Sequence, residues 1–120
     1  MTRQEAQKRL IRIHNRICKQ EGIQPLLKVN IRNSRRGHCG IDYINVPVWT
    51  YKDKMCSKYY FYYYVIHETI HHIVYSKYNT FSHGNEFMRH EKSYLKRYGL
   101  KVKYKRVYVE YNVLKDRAIS

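Results

Sequence analysis

Residues 58–78 constrain this chain more tightly than any other stretch, because an apolar, Tyr-rich run carries His67-Glu68-Thr69-Ile70-His71 in its middle. The flanking Val65, Ile66, Ile70, Ile73 and Val74 belong in a core. Two imidazoles and a carboxylate cannot follow them there cheaply unless each is paired or bound to a metal ion. The length of the run and the spacing of its His and Glu residues predict a buried helix over Lys58–Tyr78, although its aromatic content would also suit a strand. On a helix, positions i and i+4 share a face, so His67 and His71 can reach a single ion. Glu68 sits one step round, where a carboxylate can take a proton from a metal-bound water.

The elements on either side follow from local signals. Thr2-Arg3-Gln4-Glu5 matches a helix capping box, and Ala6, Leu10, Ile13 and Ile17 then recur at helical spacing until Gly22 and Pro25 end the helix. Arg3, Arg9, Arg12, Arg16 and Lys19 decorate its outer faces, as a solvated surface or a phosphate-contacting one. Leu27, Val29 and Ile31 alternate within a strand over Leu26–Arg32, and Ile41–Val46 reads as a second strand ended by Pro47. The turn-rich segment 33–40 between them predicts a hairpin with a basic tip. Residues 48–57 are ambiguous, with Thr50 and Asp53 as possible helix caps. After the central helix, Asn79–Gly84 reads as a loop and Asn85–Tyr98 as a helix with Phe87, Glu91, Tyr94, Leu95 and Tyr98 on related faces, closed by Gly99. Val102, Tyr104, Val107, Val109, Tyr111 and Val113 suggest one or two strands in a basic extension over about 100–120. No repeat, linker or low-complexity tract interrupts the 120 residues, so the expectation is one α+β domain spanning 1–120.

Composition narrows the function classes. A hydrophobic content of 43% fits a folded globule and excludes a disordered tail. No apolar run is long enough to span a bilayer, and basic residues recurring from Arg3 to Lys19 are unlike a signal peptide, so a soluble, intracellular protein is expected rather than a secreted one. Cys18, Cys39 and Cys56 form no Cys-x-x-Cys pair, which argues against a disulfide framework or a thiolate zinc ribbon and makes them small, partly buried hydrophobes. The net charge of +15 is concentrated at the two ends: residues 1–40 carry ten Lys and Arg against two acids, and 81–120 carry ten against four. A polyanion, nucleic acid before an anionic membrane surface, is the partner such a charge favours, although codon bias toward Lys, Tyr, Asn and Ile could produce the same composition.

The motif supplies two ligands, and an open catalytic zinc site needs a third from the protein. His83, opening the run His83-Gly84-Asn85-Glu86-Phe87, is the first choice, and Glu91 on the following helix is the alternative, completing a His2Glu set. Glu86 suits an imidazole-orienting role. His72 should point away from His71, about 100° round the helix. His90 reads as a surface residue or an orienting partner, and His14 and His38 lie on other elements with no spacing signal.

His-Glu-x-x-His followed by a His-Gly-x-x-Phe turn resembles the SprT-like zinc metalloproteases, the group that includes Spartan-type proteases acting on DNA–protein crosslinks. The resemblance covers about residues 1–100, with its specific part at 67–71 and 83–87. The order of N-terminal helix, hairpin and metal helix is similar too, and Arg36-Gly37-His38-Cys39-Gly40 is similar to the Gly-containing hairpin of that group. It implies a small zincin-like fold, Zn2+ as cofactor, His67, His71 and His83 as ligands and Glu68 as general base. It also implies a protein or peptide substrate, with DNA as a partner. Two features depart from the pattern: the interval from His71 to His83 is short, and no Cys-rich ribbon follows within these residues. DNA contact is therefore expected on the domain's own basic surface, at Arg35 and Arg36 and along Lys101, Lys103, Lys105 and Arg106.

The expected chemistry is peptide hydrolysis by a zinc-activated water, with Glu68 moving the proton from that water to the leaving amine. Two other classes compete with it. One is a non-enzymatic nucleic-acid-binding protein with a structural zinc. The other is a metallohydrolase acting on another bond, since His-Glu-x-x-His specifies activated water more firmly than it specifies a peptide.

Overall fold

A computed structural model of the protein describes residues 2–32, 37–47, 58–103 and 106–109, with side chains at 2–32, 37–47 and 60–101. The first element is α1 (Arg3–Glu21). The Thr2 hydroxyl caps it by accepting from the Glu5 amide at 3.1 Å. Gly22 ends it at φ 67°, a left-handed conformation that lets the Ile23 amide reach back to the Cys18 carbonyl at 2.9 Å. Ala6, Leu10, Ile13 and Ile17 form its buried stripe, as their spacing predicts, and His14 and Cys18 are buried beside them.

Three short strands follow, β1 (Lys28–Ile31), β2 (His38–Cys39) and β3 (Tyr43–Val46), in the spatial order β1-β3-β2. Here the expected hairpin is corrected. β1 and β3 run parallel, with Val29 opposite Ile44 and Ile31 opposite Val46, while β2 takes the far side of β3 in antiparallel register. The tight reversal lies at 40–42, closed by the Gly40 amide on the Tyr43 carbonyl at 2.9 Å. Alternation could not reveal this, because an apolar face meets the same core whichever way its strand runs. Leu27, expected on that face, is 98% exposed.

The helix carrying the motif is α2 (Lys58–Tyr78). A helix that is apolar nearly all round belongs at the centre of a fold, and α2 touches α1, β2, β3, α3 (Asn85–Arg97) and the last strand. Phe61, Tyr62, Val65, Ile66, Ile70, Ile73 and Val74 are buried along it. α3 returns against α2 and buries Phe87, His90, Tyr94 and Leu95. Gly99, at φ 70°, turns the chain into an antiparallel pair, β4 (Leu100–Lys103) and β5 (Arg106–Val109). The protein is thus a mixed α+β structure built round one central helix. No helix among the described residues is long and apolar enough to cross a membrane.

Glu21 fastens the three helices at one end. Its carboxylate accepts from Lys77 at 2.7 Å and from the Tyr94 hydroxyl at 2.6 Å, and His90 Nε2 lies 3.5 Å away. Burial works to raise its pKa, but these bonds outweigh that and hold it below the usual carboxylate range.

Candidate metal centre

The helical spacing does what it predicted: His67 and His71 share a face of α2, and the loop leading into α3 brings His83 onto it. Nε2 of His83 lies 3.0 Å from Nε2 of His71 and 3.4 Å from Nε2 of His67, and all three donor atoms fall within 4.8 Å of one another. A tetrahedral ion about 2.0–2.1 Å from each imidazole nitrogen holds those nitrogens about 3.3 Å apart. The arrangement therefore fits a zinc-sized cation without rebuilding the backbone. His83 is exposed while His71 is buried, so the cluster opens to solvent on one side.

Glu91 lies behind the cluster. Its carboxylate bonds Nδ1 of His67, the nitrogen turned away from the other two imidazoles. An acceptor there keeps the proton on Nδ1 and leaves the Nε2 lone pair free, as carboxylate–histidine–metal arrangements require. The geometry therefore puts Glu91 behind an imidazole, the place the sequence suggested for Glu86. The Glu86 carboxylate is committed to Arg89 instead.

Phe87 gives the last residue of His-Gly-x-x-Phe a physical task. Its buried ring has its centroid 4.9 Å from that of His67, 4.3 Å from that of His71 and 4.8 Å from that of His83, making an apolar floor under all three. The loop that delivers His83 is fixed by stacking of Tyr75 on Phe81, whose centroids are 4.4 Å apart.

Glu68 is only 4% exposed, on the sheet side of the cluster. Gly37 passes so close that a methyl group on its Cα would overlap the Glu68 carboxylate. Cys39 is also near, with its sulfur, a Glu68 oxygen and a His71 nitrogen mutually within 4.8 Å. Burial raises the Glu68 pKa to about 7; the His67 charge opposes that rise and the Glu91 charge adds to it. A carboxyl with that value exchanges protons near neutrality, which suits a general base. Burial, then the charges of His67 and His83, push His71 down to about 3, so its imidazole is neutral and able to ligate.

His72 does point elsewhere, donating from Nε2 to the Gln24 carbonyl at 2.9 Å. His90 is not a surface residue: it is 8% exposed, with Nδ1 donating to the Glu86 carbonyl at 2.8 Å. His38 is exposed on β2. Of the basic residues, Lys101 is exposed at the start of β4, and Lys103 and Arg106 pair across the β4–β5 ladder. Arg35, Arg36 and Lys105 lie outside the described residues. Sequence reasoning missed three neighbours of the site: Gly37, Cys39 and Tyr63. Tyr63 lies one turn before His67, its ring centroid 5.5 Å from that imidazole, and burial followed by the Glu91 charge keeps its hydroxyl protonated. Tyr63 left a signal in its i−4 spacing from His67 on the helix, and Gly37 and Cys39 in the 36–40 segment that carries the hairpin resemblance. Comparisons with protein-family models, with curated proteins and with solved structures find no match to this chain.

Proposed function

We propose that this chain is a zinc-dependent metallopeptidase of SprT-like type with a zincin-like fold, in which His67, His71 and His83 hold the ion and Glu68 is the general base. The observation that carries the reading is the convergence of three Nε2 atoms at ligand spacing on a solvent-open face, with Glu91 behind His67. Zinc in such a site supplies a Lewis acid that acidifies water and polarises a carbonyl. The chain's own groups supply the rest. Glu68 accepts the proton released as water attacks the scissile carbonyl, then gives it to the departing amine. Its buried position keeps that proton from bulk solvent between the two steps. Among the described residues β2 pairs only with β3, so its other edge offers backbone groups to an extended peptide beside Glu68. That edge favours a peptide over other hydrolysable bonds.

The same proposal takes DNA-bound or DNA-crosslinked protein as substrate, in an intracellular setting, with DNA held by Arg35, Arg36, Lys101, Lys103, Lys105 and Arg106. Its support is the +15 charge and a groove running from Glu91 past Lys92 and Lys96 to Lys101. A nucleic-acid-binding protein with a structural zinc is the competing reading, and the exposed His83 speaks against it, because structural sites are closed.

The test is cleavage of an unfolded casein- or histone-like substrate by zinc-loaded protein, with and without DNA. Wild type should cleave, and Glu68→Gln should lose at least about 100-fold in rate with zinc content unchanged. Undiminished cleavage by the variant refutes Glu68 as base. A zinc-loaded wild type that binds DNA with steep salt dependence but cleaves nothing makes the competing reading correct.

A further inference from the structure

α2 carries two adjacent histidines that face different ways. His71 turns toward His83, and His72, about 100° round the helix, turns toward α1. There it meets His14 and Cys18, which stand i and i+4 on the buried face of α1, the same spacing that pairs His67 with His71. One donor atom from each of His14, Cys18 and His72 lies within 4.8 Å of the other two, and all three residues are buried.

The protons in this cluster do not balance. The Leu26 amide donates to Nε2 of His14 at 3.0 Å, so that nitrogen is the acceptor, and Nδ1 donates to the Thr69 hydroxyl at 3.1 Å. The Cys18 sulfur is 3.6 Å from the same Nε2, whose single lone pair the Leu26 amide already occupies. His72 donates from Nε2 to the Gln24 carbonyl, which leaves Nδ1 as an acceptor, buried and without any partner among the described residues. A protein interior seldom leaves such a lone pair idle beside a thiol.

We propose that His14, Cys18 and His72 form a second, buried metal site that takes a monovalent thiophilic ion, Cu+, separately from the cluster at His67, His71 and His83. One thiolate and two imidazoles match the trigonal His2Cys set known for copper, with the thiolate as its soft donor. Three donors suffice for trigonal Cu+, and among the described residues no carboxylate belongs to the cluster; the Glu21 carboxylate, a turn further along α1, is held by Lys77 and Tyr94. Charge decides between ions. Cu+ displaces one proton from Cys18 to solvent, and the Cu+–thiolate unit is neutral, whereas Zn2+ would leave a net positive charge in an apolar core. Nε2 of His14 would exchange the Leu26 amide for the ion, while His72 keeps its Nε2 bond to the Gln24 carbonyl, so binding would clamp α1 to α2 and release the Leu26 amide.

The test uses the 120-residue chain with Cys39→Ser and Cys56→Ser, which leaves Cys18 as its one thiol, already loaded with zinc. Cu+ is supplied anaerobically from its bicinchoninate complex. The protein should withdraw a single equivalent of Cu+, gain a near-ultraviolet thiolate-to-copper charge-transfer band and melt at a higher temperature. Adding Cys18→Ser or His72→Ala should abolish all three changes, while His83→Ala should leave them intact, which separates this site from the proposed zinc centre. Copper X-ray absorption of the protein that retains Cys18 needs no folded variant, and it should show one sulfur and two nitrogens. Failure to take up Cu+, equal uptake after Cys18→Ser, or a shell without sulfur overturns the proposal.

Discussion

At the scale of single residues, Glu91 and His83 exchange the ambiguity they carried in the sequence. Both could have been the third ligand, but one faces Nε2 of its neighbours and the other faces Nδ1 of His67. The two positions predict different losses. Glu91→Gln should weaken zinc binding about 10- to 100-fold, the usual effect of removing an orienting partner, and leave the site able to fill. His83→Ala removes a donor and should cost far more, measured for both by competition with a chromophoric chelator. Equal losses would mean that Glu91 binds the ion itself. Gly37 poses a second residue-scale question, because its lack of a side chain is what allows the chain to pass over Glu68. Gly37→Ala should displace that carboxylate, lowering kcat while zinc content and melting temperature stay near wild type. An unchanged kcat would show that Glu68 accommodates the methyl group without consequence.

At the scale of elements, the helices were legible and the sheet was not. Caps, a 3.6-residue stripe and His spacing are local signals, so α1, α2 and α3 lie where the sequence puts them. β1 and β3 run parallel because β2 comes between them in the chain and runs against β3, and a strand of two residues is too short for alternation to mark it in the sequence. The same holds for the site: His67, His71 and His83 could be read in advance, whereas Gly37 above Glu68 and His72 beside Cys18 are meetings between distant elements. Leu27 shows that alternation continues past the point where a strand stops being covered. One device was invisible for a further reason. Gln7 on α1 behaves as a strand partner for β1, donating to the Val29 carbonyl at 2.6 Å and accepting from the Ile31 amide at 3.0 Å. Nothing distinguishes it from a solvated glutamine in the sequence. Gln7→Ala leaves both backbone groups without that partner and should destabilise the fold by about 1–3 kcal/mol in urea unfolding. A loss near zero would show that water replaces the amide.

At the scale of the whole molecule, neutral imidazoles are buried among helices, and acid must act on them. Burial, and to a lesser degree the His72 charge, lower His14 from 6.5 to about 4. The unfolded chain therefore binds a proton at this residue before the folded one does. Stability is complete above the unfolded value and falls with pH across the window from about 6.5 to about 4, by on the order of 3 kcal/mol from this residue in metal-free protein. Urea midpoints across that range check it, and a flat profile would contradict the burial of a neutral His14. The proposed zinc centre should lose affinity in the same direction, since its imidazoles must be neutral to bind. Zinc X-ray absorption shows whether this fold assembles an open three-histidine metal centre round α2. With a single equivalent of zinc on Cys18→Ser protein, the shell should hold three imidazole nitrogens and one oxygen at about 2.0–2.1 Å. A sulfur from Cys39 in that shell, or fewer than three imidazoles, would contradict it.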